Sequence, residues 1–348
     1  MAAILAYGWM MTDTRALILG CSGPALTEEE KAFYRDVQPW GFILFGRNIE
    51  NLDQIRRLTD ELRETVAGRH VPVLIDQEGG RVQRIRPPLA DKYPSGADLG
   101  AIYAQDRGRG LRAAWLMSRL HAFDLLKLGI DVDCLPVLDV PVAGAHDVIG
   151  NRAYGHDPDT VTAMGRAAAQ GLKDGGILPV MKHMPGHGRA GADSHHNLPV
   201  VDAPRATLEA HDFAPFRAMR DELMAMSAHV VYTAIDPDRP GTTSKIVIDR
   251  IVRGHIGFDG LLMSDDTSMN ALAGTIGERA RDIVAGGCDI VLHCNGVMAE
   301  MQAVAAEAPI LSGKSKMRAD AAIAGFAKPD ASDEAALRAE FFAMFPSA

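Results

Sequence analysis

The sequence predicts an α/β protein, a single-domain (β/α)8 barrel of the TIM type, and three observations carry that expectation. Eight short runs rich in apolar and β-branched residues punctuate the 348-residue chain. The runs are near-continuous, not alternating, as parallel strands buried on both faces read. Amphipathic stretches of helical length separate them, and regular alternation of strand and helix is the pattern of a parallel sheet wrapped by helices. A doubly wound open sheet is the structural alternative.

The expected strands are 16–21 (ALILGC), 41–46 (GFILFG), 71–78 (VPVLIDQE), 130–140 (IDVDCLPVLDV), 177–183 (ILPVMKH), 226–232 (MSAHVVY), 260–266 (GLLMSDD) and 288–295 (CDIVLHCN). The expected helices cover 27–38, 51–66, 114–129, 159–175, 206–223, 245–257 and 278–287. Thr27 followed by Glu30 spells a capping box, and Gly129, Gly175, Gly257 and Gly286 stand where helices should stop. Further helical stretches near 314–326 and 332–344 are expected to pack outside the barrel. The domain reading is an N-terminal extension over 1–14, a catalytic barrel over 15–310 and C-terminal helices over 311–348.

Composition narrows the function. Hydrophobic residues at 47% and charged residues at 23% are ordinary globular values. A net charge of −9, with no basic run, argues against a nucleic-acid partner. No segment reaches the roughly 18 consecutive apolar residues of a membrane span. The apolar start, MAAILAYGWMMTDTR, lacks a positive n-region and a small-residue cleavage site, so a signal peptide is the weaker reading, and Met1, Met10 and Met11 are all possible starts. Cys21, Cys134, Cys288 and Cys294 show no CxxC spacing and read as reduced structural thiols. A cytoplasmic monomer is expected.

A barrel gathers its chemistry at the C-terminal ends of its strands. Asp76, Asp139, Lys182 with His183, Asp265 with Asp266, and His293 all stand at or near such ends, and His229 falls in the sixth run. The segment 182–199, KHMPGHGRAGADSHHNLP, holds four of the twelve histidines between glycines and prolines. Asp193 beside His195 there makes a general acid/base dyad, because a carboxylate orients an imidazole and stabilises its cation. His183 and His187 have HxxxH spacing, but no HExxH helix is present, and no metal or other cofactor is expected. A GxSxG elbow is also absent. Of the two adjacent acids, Asp265 is the candidate nucleophile and Asp266 the structural cap. In IDQEGGRVQR, Asp76 can accept two sugar hydroxyls, with Arg84 close behind; GNRAYG similarly presents Arg152 after a strand.

With these residues in hand, the chain resembles glycoside hydrolase family 3, and within it the bacterial single-domain β-N-acetylglucosaminidases of cell-wall recycling. The resemblance runs from about 15 to 300 through GFILFGRN, IDQEGGRVQR, LPVLDV, GNRAYG, KHMPGHG with DSH, and MSDDTSM, in the family's order. It implies Asp265 as nucleophile, His195 as acid/base assisted by Asp193, and Asp76, Arg84, Arg152, Lys182 and His183 as ligands of an N-acetylglucosamine ring. It also implies retention through a glycosyl-enzyme intermediate and muropeptides bearing 1,6-anhydro-N-acetylmuramic acid as the small carbohydrate substrate. Met184 stands where the family often has an aromatic, and Gln77 where histidine is frequent; both bear on substrate fit. A phosphorylase on the same scaffold and a non-catalytic sugar-binding barrel are the alternatives.

Overall fold

The computed structural model of the protein describes residues 13–66, 68–191 and 198–345. Eight parallel strands follow the eight apolar runs: Arg15–Leu19, Pro39–Leu44, Val73–Ile75, Val132–Asp133, Leu178–Pro179 continued by Met181–Met184, Met224–Ser227, Leu261–Met263 and Val291–His293. Each pairs with the next. The first four run in order, the fourth meets the fifth through Val132 with Leu178 and again through Val137 with Lys182, and the fifth, sixth and seventh are laddered together. The seventh touches the eighth at Met263 and Ile290, and the eighth returns to the first through Leu17 with Val291. The sheet therefore closes on itself as a (β/α)8 barrel, which removes both edges.

Strand side chains alternate between two apolar layers. Ala16, Ile18, Ile43, Leu74, Val132, Met226 and Leu292 point into the barrel, whereas Leu17, Leu19, Phe42, Leu44, Val73 and Ile75 pack beneath the surrounding helices. Burial on both faces is why the runs are continuous in sequence. Each fully buried Leu or Ile contributes on the order of 1.5–3 kcal/mol from water exclusion.

The helices begin where their caps stand. Thr27 and Glu30 close the capping box of the helix Glu28–Val37, Asn51 caps Leu52–Glu64, and Asp157 with Pro158 at the first turn opens Pro158–Asp174. Gly257 ends Val247–Ile256 in the left-handed conformation, φ 75°, which costs a glycine little. Three expectations need correction. The single helix over 206–223 is two short ones, Arg205–Ala210 and Ala214–Ala218, broken where Asp212 turns inward to receive Arg189 at 2.9 Å. The strand over 226–232 ends at Ser227, and Val231–Tyr232 pairs instead with Val200–Val201 outside the barrel. The helices Gly96–Gln105 and Met298–Glu307 were not anticipated.

The two last helices lie differently. Glu334–Phe342 packs on the outer helix Arg107–Leu126. Gly313–Ala324, by contrast, buries Ala319 and Ala322 in the same cluster as Ala16, Trp40, Met224 and Leu261, so it packs against the N-terminal end of the barrel. No helix among the described residues is long and apolar enough to cross a membrane.

Candidate active site

The open end of the barrel holds a cavity of about 250 Å³ lined by Asp76, Arg84, Arg152, Lys182, His183 and Asp265, which come from four different strand ends. These are six of the eight residues singled out in the sequence. Asp193 and His195, the remaining two, lie outside the described residues. Ile43, Met226, Leu292 and Cys294 form the apolar floor, and Phe45 lines the wall.

The third strand delivers Asp76, and directly after it a hairpin, Gln77–Gly79 with Val82–Gln83, carries Glu78 and leads to Arg84. Asp76 accepts from Lys182 Nζ at 2.8 Å through one oxygen and from Arg84 Nη2 at 2.8 Å through the other. Glu78 accepts Arg152 bidentately, Nε and Nη2 both at 2.8 Å, and lies 2.6 Å from Lys182 Nζ. Two acids are thus laced to three cations. Burial by itself pushes both carboxyls up, but Lys182 and Arg84 outweigh it for Asp76 and hold it well below the usual carboxylate range. Arg152 and Lys182 do the same for Glu78 and hold it at about 2. Burial opposes the Lys182 cation, yet Asp76 and Glu78 raise it above the ordinary lysine range. All five groups stay charged near neutral pH. A buried charge network is weak as a device for stability, because desolvation offsets much of the attraction, so its position around a cavity points to ligand binding.

His183 follows Lys182 on the fifth strand. Its Nδ1 donates to Asp139 Oδ2 at 2.6 Å, which turns Nε2 toward Arg152 Nη2, 3.5 Å away, and the cavity. Asp139, wholly buried, also accepts the backbone N–H of His183 at 3.2 Å and of His187 at 2.6 Å through its other oxygen. One carboxylate thereby fixes both ends of the KHMPGH turn. Burial pushes the His187 imidazole down to about 4, so it is neutral at neutral pH.

The two acids after the seventh strand are used differently. Asp266 spends its carboxylate on its own turn, accepting Ser268 N–H at 3.0 Å, Cys294 N–H at 3.1 Å and the Ser268 hydroxyl at 2.5 Å. Its carbonyl accepts His229 Nε2 at 3.0 Å, and Thr242 holds the other ring nitrogen at 2.8 Å. Asp265 accepts the Asp266 N–H at 2.8 Å and presents its carboxylate to the cavity across from the charge cluster. A carboxylate of this kind can attack an electrophilic carbon held by the opposite wall.

Three contributors escaped the sequence reading. Glu78 sits two residues beyond Asp76 in the same motif, and alternate residues past a strand end can reach one mouth. Asp139 was noted at a strand end without a task. His187 was considered only for metal binding. Among the described residues no three His, Cys, Asp or Glu side chains converge to hold a metal ion.

A closed barrel whose mouth sets fixed carboxylates and cations around a small cavity is placed as a barrel enzyme's active site is, and those groups suit a hydroxyl-rich ligand. Comparison with known proteins gives the particular class. Residues 12–323 match the model of the glycosyl hydrolase family 3 N terminal domain. The chain is 41% identical to a Beta-hexosaminidase of Chromobacterium violaceum over 283 residues, covering 80% of this chain and 78% of that protein. It is 36% identical to the Beta-hexosaminidase of Aromatoleum aromaticum over 325 residues, covering 92% and 90%. Among solved structures, NagZ from Neisseria gonorrhoeae in complex with N-trifluoroacetyl-D-glucosamine superposes with a TM-score of 0.82 at 34% identity, covering 94% of each chain. The chain belongs to glycosyl hydrolase family 3. Its activity is that of a glycoside hydrolase of the β-hexosaminidase type.

Proposed function

We propose that the protein is a retaining exo-β-N-acetylglucosaminidase that removes a terminal non-reducing N-acetylglucosamine from peptidoglycan fragments, muropeptides in which that sugar is joined to 1,6-anhydro-N-acetylmuramic acid. The observation that carries this reading is the placement of Asp265 across one small cavity from Asp76, Arg84, Arg152, Lys182 and His183. A cavity of about 250 Å³ suits a single ring, which favours exo action. The sugar analogue bound by the gonococcal NagZ supports the N-acetylated ring as ligand.

In the proposed reaction the charge cluster holds the ring hydroxyls, since fixed carboxylates accept from hydroxyls and the arginines and lysine donate to them. Asp265 attacks the anomeric carbon and displaces the aglycone oxygen, which takes a proton from His195, itself oriented by Asp193. The resulting glycosyl ester is then opened by water, which gives its proton back to His195, so the β configuration returns after two inversions. The four described thiols are buried and free, which suits the reducing cytoplasm, and we place the reaction there, on a monomer.

Turnover of a chromogenic N-acetyl-β-glucosaminide tests the reading. Wild type should release the aglycone, and Asp265→Ala should lose at least about 1,000-fold in kcat, the scale of removing a nucleophile. Near wild-type turnover by Asp265→Ala rejects the nucleophile. Release of N-acetylglucosamine 1-phosphate in phosphate buffer replaces hydrolysis by phosphorolysis, and GlcNAc-anhydro-muropeptides left uncleaved while simple glycosides are hydrolysed reject the substrate.

A further inference from the structure

We propose that the C-terminal helix Glu334–Phe342 shapes the sugar site, with Arg338 as a positioning residue that acts through the segment 91–95 on the hairpin bearing Glu78. The helix lies beyond residues 12–323, the stretch matched by the family model. The inference rests on the assignment of that hairpin to the sugar site.

The segment 91–95 is two-faced. The side chains of Asp91 and Tyr93 face the C-terminal helix: Arg338 Nη1 donates to the Asp91 carboxylate and, at 3.2 Å, to the Tyr93 hydroxyl, while Nη2 donates to Asp124 at 2.8 Å. Tyr93 in turn donates its hydroxyl to Asp124 at 2.5 Å, and its ring meets Phe341 and Phe342 of the helix at centroid distances of 6.2 and 6.4 Å. Its backbone faces the hairpin. Tyr93 N–H donates to Gln83 Oε1 at 3.1 Å, Gly80 N–H donates to the Tyr93 carbonyl at 3.0 Å, and Gln83 Nε2 donates to the Asp91 carbonyl at 2.7 Å. The fit is close: a Cβ on Gly79, at φ 87°, would stand 2.2 Å from the Pro94 carbonyl oxygen.

Asp91 and Tyr93 therefore each hold Arg338 with a side chain and the hairpin with backbone. The hairpin is paired only two residues deep, and a short two-stranded ribbon is not stable by itself; besides the segment 91–95 it is held by the Gln77 N–H on Asp133, by the Gln77 side chain on the backbone of Arg84 and Ile85, and by Arg81 on the Val148 and Ile149 carbonyls. Glu78 is buried on that ribbon and must meet Arg152 and Lys182 within a few tenths of an ångström. A planar guanidinium spanning Asp91, Asp124 and Glu334, the last at 2.9 Å, fixes the segment as a flexible lysine cannot.

The experiment compares wild type, Arg338→Met and Tyr93→Phe in the full chain by kinetics on the chromogenic glucosaminide and by amide hydrogen exchange. Arg338→Met should raise KM about five- to twentyfold with kcat within about threefold, the signature of lost ground-state positioning. The amide of Gly80 should exchange faster while strands such as Pro39–Leu44 keep their protection. Tyr93→Phe, which keeps the backbone bonds and fold, should shift both readouts the same way to a smaller extent, and it decides the matter if Arg338→Met does not fold. KM and hairpin exchange unchanged in a folded variant overturn the proposal. Absence of turnover by wild type would instead count against the proposed function, and the exchange measurement still reads the coupling.

Discussion

Lys182 Nζ lies 2.6 Å from Glu78 Oε1, and both side chains are shut off from solvent, at 2% and 3% exposure. The same ammonium group reaches Asp76 at 2.8 Å. A single lysine thus joins two carboxylates two residues apart, and removing any one of the three leaves the buried cluster with an unbalanced charge.

Glu78→Gln follows from that geometry. The amide keeps the shape but turns one donor toward Arg152 and Lys182, and breaking a buried ion pair on one side costs about 3–5 kcal/mol. The expected result is a lower melting temperature together with a loss of at least about 100-fold in kcat/KM on the chromogenic substrate. A variant that melts and turns over like wild type rejects a role for Glu78.

Acid stability should report the same cluster. Glu78 falls from its ordinary 4.5 to about 2 on folding, so the unfolded chain binds the proton first as pH drops. Its stabilising contribution is present above about pH 4.5 and is lost as pH falls through about 2. Asp76, also held low, acts with the same sign. Denaturant unfolding of wild type and Glu78→Gln should show a stability difference that shrinks over this window. A difference independent of pH contradicts the assignment.

His187 gives the opposite residue type with the same direction. Burial lowers it from 6.5 to about 4, so the folded protein resists a proton that the unfolded chain accepts. The stability gained from a neutral His187 is present above about pH 6.5 and lost as pH falls toward about 4. In a histidine-resolved NMR titration its ring should stay neutral at pH 6, and half-protonation near 6.5 rules the prediction out.

The adjacent acids should separate cleanly. Asp265→Ala should abolish turnover with a melting temperature within about 3 °C of wild type, whereas Asp266→Ala should cost about 1–3 kcal/mol by stripping the acceptors from Ser268 and Cys294. Chemical denaturation of both variants distinguishes them. Equal destabilisation means that the Asp265 bond to the Asp266 N–H holds the turn as strongly as the Asp266 carboxylate does.

Asp139→Asn tests the anchor of the KHMPGH turn. Asparagine can keep one backbone acceptor but turns a donor or a weaker acceptor toward His183 Nδ1, so the ring loses its fixed orientation. KM should rise at least about tenfold. An unchanged KM shows that His183 is held by other contacts.

Much of the fold was legible because burial on both faces leaves a mark in sequence: runs such as ALILGC and GFILFG are apolar throughout, and each holds a barrel strand. Caps were legible for the same local reason, as at Thr27 and Glu30. The break at 211–213 was not, since it is set by Asp212 meeting Arg189, a partner 23 residues earlier in the chain. Within the site, Asp76, Arg84, Arg152, Lys182, His183 and Asp265 could be named from their positions at strand ends, and all six line one cavity. Asp193 and His195 lie outside the described residues.

The sequence by itself determined the eight-strand alternation, the polar residues at the strand ends and the family, because periodicity, capping and motif spacing are local properties of a chain. Only the tertiary structure decided who pairs with whom. Glu78 meets Lys182 across 104 positions of sequence, Asp139 reaches forward to two histidines, and Arg338 returns from the last helix to Asp91 and Tyr93. Such contacts arise when closure of the barrel brings distant strand ends to one rim, and a charge buried there is tolerable only with its partner in place.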